Sequence, residues 1–356
     1  MKKKFRMGIV GCGGISGGHI RGILDSPDLE IGALCDIRPD RLDEKKAMCG
    51  VSDDVCYENH VDLMESGKVN AVSVCTPNDV HFPIVMDAIR RGLPYAVEKP
   101  ACNSEADVAK LAAETAKKKL PHMVCFSYRF VPAARYARDL ILKGALGKLY
   151  HINGEYFQCW GLPDADNGNP VEMRWRFVKK IAGSGALGDL GCHLLDLFRF
   201  MTGLEFKKLM ADTDTFVRER PDADGLGTVV DVDDYVNIIG QMDNAVAACL
   251  SISRFTYSRG NYQRAEIYGD QGALRYTLEQ EDKLEVNMGN EPMRQGRIWC
   301  DVPIPAKYKA SQMQCFADIL NGCGDGTPAT IEDGRINQRI VDQLLLSAES
   351  GKRVII

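Results

Sequence analysis

Short apolar runs recur through the first third of the chain, at Phe5–Val10, Ile31–Cys35, Ala71–Cys75, Tyr95–Val97 and Met123–Phe126. Between them lie mixed stretches with a helical period. Val80, Ile84, Val85, Ala88 and Ile89 fall at that spacing, so Asp79–Arg91 is predicted as an amphipathic helix with one buried stripe. Ser104–Lys118 is a second such helix. Ser104 followed three residues later by Asp107 marks its start, as a capping box with Asp in place of Glu. Buried strands alternating with helices predict right-handed βαβ units and a parallel sheet covered on both faces.

Beyond Tyr128 the pattern changes. A helix over Pro132–Lys143 leads to a strand at Tyr150–Gln158, then to a loop rich in Gly, Pro and Asn at Gly161–Pro170. Gly185–Met201 reads as helical in its second half. Strands are predicted at Val232–Gly240, Ala245–Ser253, Tyr262–Tyr268 and Ala273–Thr277, joined by the turns Met242-Asp243-Asn244 and Gly269-Asp270-Gln271-Gly272. Such a succession predicts an antiparallel sheet. Helices near Gln312–Asn321 and Glu332–Ser350 close the chain. The expected organisation is a doubly wound α/β domain over residues 1–126 and an α+β domain over 127–356, with a large, mostly antiparallel open-faced sheet.

The length of 356 residues agrees with about two domains. Lys and Arg number 44 against 49 Asp and Glu, a net charge of −5, which argues against a nucleic-acid footprint. No apolar run is long enough to cross a membrane. The opening MKKKFRMGIV imitates a signal peptide, but Arg6 and the glycines after Val10 break its apolar region. Thirteen cysteines without a C-x-x-C pair read as reduced, mostly buried thiols, with no zinc site. A cytoplasmic protein is expected.

Phe5–Ser16 reads as strand, glycine turn and helix start. Gly11 permits a tight turn, and Gly13 lets backbone approach a pyrophosphate that the next helix binds through its N–H groups, with Gly14 and Ile15 in the same turn. Ser16 stands where the third glycine of G-x-G-x-x-G would be. Asp36 follows twenty residues later at the end of the second strand, where a carboxylate accepts both ribose hydroxyls and repels a 2′-phosphate. That favours NAD over NADP. Ile37 and Arg38 come next, and an arginine there is suited to a 2′-phosphate, so the preference stays open.

Three further segments complete a pattern: Cys75-Thr76-Pro77-Asn78-Asp79-Val80-His81, Glu98-Lys99-Pro100, and Gly188-Asp189-Leu190-Gly191-Cys192-His193-Leu194-Leu195-Asp196. With the glycine turn, Tyr128-Arg129-Phe130 and Trp175-Arg176, they resemble the Gfo/Idh/MocA family of NAD(P)-dependent sugar and polyol oxidoreductases. The resemblance implies a Rossmann domain followed by a domain whose open sheet forms a dimer or tetramer contact. It implies that Thr76, Pro77, Asn78, His81 and Glu98 lie on the nicotinamide side of the cofactor. It also implies that Lys99, often preceding a cis proline bond, relays or orients the substrate proton. Read alone, His81 is a helix-surface histidine and Lys99 a loop lysine.

Asp189 and His193 are four residues apart and so share one helix face, a spacing that lets a carboxylate orient an acid–base imidazole. Asp196 is expected to be structural and Cys192 apolar filler. Tyr128, Arg129, Tyr156, Trp160, Trp175 and Arg176 offer aromatic faces and guanidinium donors to a carbohydrate-like ligand. The acidic positions Asp222, Asp224, Asp231, Asp233 and Asp234 lack the spacing of a calcium loop and are expected to be a solvated loop. The combined expectation is an NAD-dependent dehydrogenase of a secondary hydroxyl on a sugar, glycoside or cyclitol, with C3 of a pyranoside favoured. An inositol dehydrogenase, a redox-assisted glycosidase and a non-catalytic NAD-binding regulator are the alternatives.

Overall fold

The computed structural model describes residues 4–165, 171–279, 282–288 and 298–356. Two compact units emerge. The first runs up to Phe130 and takes in Ala310–Gln338 as well; the second holds Val131–Lys309 and Arg339–Ile356.

The first unit is built on six parallel strands: β1 (Phe5–Val10), β2 (Leu29–Cys35), β3 (Cys56–Tyr57), β4 (Ala71–Val74), β5 (Tyr95–Val97) and β6 (His122–Val124). Their order, β3-β2-β1-β4-β5-β6, reverses direction at β1, which is the doubly wound arrangement. The helices are α1 (Ser16–Leu24), α2 (Pro39–Cys49), α3 (His60–Glu65), α4 (His81–Arg90) and α5 (Glu105–Lys118). The predicted stripe of α4 is buried at Ile84, Val85, Ala88 and Ile89, each such side chain contributing about 1.5–3 kcal/mol, less for Ala. Val80 is exposed and falls instead in a 3-10 turn before the helix. Ser104 caps α5 by accepting the Asp107 N–H.

Register fixes what the sheet presents. Val10 pairs with Cys35 and Val74, Val74 with Val97, and Val97 with Val124. Five strands therefore end on one row, and the next residues, Gly11, Asp36, Cys75, Glu98 and Cys125, leave the sheet side by side. The unit's core joins Met7, Ile9, Met123, Cys125 and Phe130 to Met313, Phe316 and Ala317 of α9 (Gln312–Leu320). A bridge from Val124 to Ala329 ties the returning chain to β6.

The second unit begins with α6 (Pro132–Leu142) and β7 (Leu149–Phe157), then α7 (Lys179–Ala182) and α8 (Cys192–Thr202). The strands β8 (Phe206–Asp214), β9 (Glu219–Pro221), β10 (Gly227–Val229), β11 (Tyr235–Met242), β12 (Ala247–Ser253), β13 (Tyr262–Gly269), β14 (Gly272–Leu278), β15 (Lys283–Met288) and β16 (Cys300–Asp301) follow. The helix α10 (Ile331–Ser350) and β17 (Val354–Ile355) end the chain. Nine strands form one sheet in the order β16-β15-β14-β13-β7-β12-β11-β8-β17, while β9 and β10 make a separate hairpin. All neighbours in the large sheet are antiparallel except β7 and β12. That parallel pair was not foreseen; the long connection between its strands carries α7 and α8.

The strand expected from Val232 starts only at Tyr235, because Val232, Asp233 and Asp234 turn inward. Asp233 and Asp234 are buried, correcting the expectation of a solvated acidic loop; Asp224 and Asp231 are exposed as expected, and Asp222 is half-buried. Desolvation forbids an unpaired carboxylate there, and each is paired. Asp234 meets the Arg254 guanidinium at 2.7 Å and accepts the Phe216 and Val217 N–H groups. All thirteen cysteines are thiols outside any disulfide, seven of them buried. Among the described residues no helix is long and apolar enough to cross a membrane.

The Asp234–Arg254 pair is fully buried on both sides. Asp234→Ala is expected to destabilise the protein by about 3–5 kcal/mol, because it strands the guanidinium in the interior. An Asp234→Leu, Arg254→Met double variant should lose much less, as read from urea denaturation midpoints.

Candidate functional site

In the first unit the glycine turn has the geometry its sequence predicts. Gly11 adopts φ +94° beside the end of β4, where a Cβ would lie 2.7 Å from the Cys75 carbonyl carbon and the Thr76 nitrogen. A Cβ on Gly14 would meet nothing within 4 Å, so this side of the turn is open. No side chain caps α1 and its first turn has no acid, leaving its positive end for an anion. Three cations that the sequence reading missed stand nearby. Measured from where a Cβ would be, Arg41 lies 4.0 Å from Gly13, and Arg21 and Lys45 lie 3.8 and 3.9 Å from Gly17.

Asp36 is buried and accepts the Cys12 N–H at 2.7 Å and the Arg38 N–H at 2.9 Å, so its carboxylate is fixed against the glycine turn. Ile37 is exposed beside it. The Arg38 side chain turns to Asp40 at 2.5 Å rather than to Asp36. After β4, Thr76 and Pro77 are half-buried and Asn78 buried; the Thr76 hydroxyl is screened from solvent without a hydrogen-bond partner among the described residues. His81 is wholly buried, which corrects the reading of it as a surface histidine. Its Nδ1 lies 2.9 Å from the Pro100 carbonyl oxygen and its Nε2 2.9 Å from that of Thr76, so the ring staples two strand-end loops together. Burial lowers its pKa, and as a neutral ring it donates to one of the two.

Glu98 is buried and accepts the Lys99 N–H at 3.2 Å on Oε2. Its Oε1 lies 2.8 Å from Nε2 of His19, a residue of α1 that the sequence reading passed over. The signal was present: His19 is a polar residue on the buried stripe formed with Ser16, Ile20 and Ile23. Lys99 is half-buried, and its bond to Pro100 is cis, as the resemblance implied. Tyr128 and Arg129 occupy a short turn of this first unit, not of the second as expected. Arg129 is buried on the Thr327 carbonyl and lies 3.3 Å from Asp333, which ties it to the returning chain.

In the second unit, Gly154 in β7 lets α8 pack close; a Cβ there would lie 2.4 Å from the Phe198 ring. Before α8 comes one π-helical turn, Leu187–Gly191, which holds Asp189, so Asp189 and His193 share a continuous helical path with one widened turn. Turns of this kind recur at functional sites. The buried Asp233 carboxylate accepts the Gly185 and Leu187 N–H groups, each at 2.7 Å, and anchors the turn. Burial raises the pKa of Asp233 despite these bonds. Asp189 lies 3.5 Å from Arg176 Nε, and the Arg176 guanidinium stacks on Trp175 at 4.3 Å. The rings of His193 and Tyr156 are 6.3 Å apart, and the Tyr156 hydroxyl donates to Asn261 at 2.8 Å. Trp175, Arg176 and Asp189 thus form one set of contacts and Tyr156 and His193 another, and the helical path from Asp189 to His193 joins the two. Trp160 packs on Phe177 and under the Arg254 guanidinium. Cys192 and Asp196 are buried.

Residues 5–126 match the family model "Oxidoreductase family, NAD-binding Rossmann fold", and residues 134–275 match "GFO/IDH/MocA C-terminal domain". The rhizopine catabolism protein MocA of Rhizobium meliloti is 32% identical over 76% of this chain and 77% of its own length. The chain belongs to the Gfo/Idh/MocA oxidoreductase family. Levoglucosan dehydrogenase of Pseudarthrobacter phenanthrenivorans is 34% identical over 64% of this chain and 60% of its own length, so the match spans less than two thirds of that relative. A solved structure of levoglucosan dehydrogenase in complex with NADH and L-sorbose is similar with a TM-score of 0.89 and 26% identity, covering 99% of both chains.

As a Gfo/Idh/MocA oxidoreductase, the protein carries the family's NAD-binding Rossmann domain, and its own residues fit that cofactor. The open flank at Gly14, the uncapped α1, the fixed Asp36 carboxylate and the Thr76 hydroxyl, without a partner among the described residues, suit a dinucleotide. Asp36→Ala is expected to weaken NAD binding about tenfold or more while raising NADP affinity relative to NAD, measured by titration with each dinucleotide.

The His19–Glu98 pair sets a pH window. Burial pulls the His19 pKa down, but Cys75 and Glu98 beside it outweigh that and raise it above the usual 6.5. Burial pushes Glu98 up, and His19 and Lys99 outweigh that and hold it below 4.5. The His19 contribution to stability is full below pH 6.5 and fades as pH rises through its raised value; that of Glu98 is full above pH 4.5 and fades as pH falls through its lowered value. Glu98→Gln should therefore cost most stability between those limits, with the gap to the parent closing on either side in melting temperatures taken across pH.

Proposed function

We propose that the protein is an NAD-dependent dehydrogenase that oxidises a secondary ring hydroxyl of a sugar, glycoside or cyclitol. The observation that carries this reading is the linked group in the second unit: an imidazole, a carboxylate held by arginine, and two aromatic side chains. Aromatic faces suit the C–H surface of a polyhydroxylated ring, and the charged groups suit its hydroxyls. The levoglucosan dehydrogenases among the relatives support the same class.

NAD, when bound, supplies the hydride acceptor. His193 takes the hydroxyl proton as the carbinol C–H bond is lost, the role of a general base. Asp189, within one helical turn of it and beside Arg176, orients the imidazole and hydrogen-bonds a neighbouring hydroxyl. Lys99 donates to the reacting oxygen and orients its proton. Gly11, Gly13, Gly14, Ile15, Asp36, Ile37, Arg38, Thr76, Pro77 and Asn78 hold the dinucleotide, His81 keeps the loop at Thr76 in place, and Glu98, buried on the same side, keeps the Lys99 backbone in place. Trp175 faces the sugar, and Tyr156, buried beside His193, backs the imidazole. Within this class our reading takes C3 of a pyranoside as the position oxidised, because aromatic side chains suit an attached aglycone.

The test is NADH absorbance over a panel of glycosides, anhydrosugars, free sugars and inositols, followed by identification of the ketone formed. A 3-keto glycoside is the expected product; an inosose would move the substrate to the cyclitols. Cleavage of a glycoside with no net NADH would replace the dehydrogenase by a redox-assisted glycosidase. His193→Ala should lower kcat about 10²–10⁴-fold with NADH binding retained; an unchanged rate would remove His193 from the chemistry.

A further inference from the structure

The first unit buries one charged pair directly beneath the Lys99 segment. His19 and Glu98 are 3% and 8% exposed and come from different layers of the fold, α1 and the end of β5. His19 Nε2 lies 2.8 Å from Glu98 Oε1, and His19 Nδ1 lies 2.8 Å from the Ser73 hydroxyl of β4. The second carboxylate oxygen of Glu98 accepts the backbone N–H of Lys99. One continuous path of hydrogen bonds therefore runs from β4 through α1 to the lysine's own backbone. Cys125 Sγ lies within 4.8 Å of the same atoms. The 2.8 Å separation of His19 and Glu98 is a hydrogen bond, closer than two donors sharing one metal ion would stand.

Burying a charge is unfavourable unless it is paired and hydrogen-bonded, so a core stripe of α1 that interrupts its apolar residues with an imidazole needs a reason. The α1 helix is the one whose N-terminus meets the dinucleotide, and Lys99 is the residue assigned to the reacting oxygen. A rigid link between them fixes the lysine relative to the cofactor helix. Neither His19 nor Glu98 has the exposure to touch a sugar.

We propose that His19 and Glu98 are a positioning pair: they lock the backbone of Lys99 to α1, so that the cofactor helix and the lysine keep one register. This rests on the role given to Lys99 above. Displacements of about 1 Å in a reacting group cost up to about 10²-fold in rate, so the pair acts on the chemical step and not on dinucleotide affinity.

The variants are Glu98→Gln, which keeps the shape and removes the charge, His19→Asn, which keeps a donor, and both together, each confirmed as folded by thermal melting. Turnover is read as NADH formation on the best substrate of the panel, and affinity by titration with NADH alone. Each single change is expected to lower kcat about ten- to hundredfold with NADH affinity within about threefold. The double variant should lose no more than the worse single variant, as for two groups acting as one unit. Hydrogen exchange of peptides covering Lys99 should speed up about tenfold, with those covering β1 unchanged. An unchanged kcat in Glu98→Gln overturns the proposal. So do losses that multiply in the double variant, or a fall in kcat matched by the fall in NADH affinity. Lys99→Met with full turnover would instead remove the role of Lys99; the exchange measurement needs no substrate and reads the anchoring separately.

Discussion

The constraint on which the first unit depends is the register of its parallel ladder. Because Cys35, Val10, Val74, Val97 and Val124 lie on one row, the chain leaves five strands at the same level. Parallel strands put all their carboxyl ends on one side, and a switch in strand order at β1 opens a crevice there. Gly11, Asp36, Thr76 and Glu98 owe their proximity to this arithmetic. A one-residue slip in β5 would send the Glu98 side chain to the opposite face and break its contact with His19.

Around that frame, several buried polar groups are met by backbone or by an opposite charge. His81 joins two loops through their carbonyls. In the second unit Asp233 gathers the N–H groups ahead of Asp189, and Asp234 gathers Arg254 with two more N–H groups. These neighbouring aspartates turn in different directions from one short segment, and each fixes a loop rather than a ligand. Such groups are exacting: satisfied, they hold a loop in one place, and half-satisfied they would destabilise it.

How much was legible in the sequence follows from which interactions are local. The apolar runs, the stripe of α4 and the Ser104 cap are local, and the structure has them, apart from Val80 and shifts of a few residues at the ends. The glycine turn and Asp36 were legible because a strand, a turn and a helix follow one another directly. His81 and Asp233 were misread because their partners lie elsewhere: Pro100 for one, the amides at Gly185 and Leu187 for the other. The acidic composition around Asp231 described a loop, and nothing nearby in the sequence announced Arg254. His19 carried a readable sign, a polar residue on a helical core stripe, but its partner is seventy-nine residues away. The parallel pairing of β7 with β12 depends on a connection too long for periodicity to resolve.

The path of the chain through the first unit bears on how the protein is made. The segment from Ala310 to Gln338 belongs to that unit, and its Met313, Phe316 and Ala317 share a core with Met123, Cys125 and Phe130. A ribosome therefore releases the six strands well before it releases the residues that cover the β6 edge. During that interval the nascent Rossmann sheet exposes apolar surface that the finished protein hides, a state in which chaperones bind and misassembly starts. For the same reason, a fragment cut at residue 126 would leave that apolar surface uncovered, however continuous its six strands look.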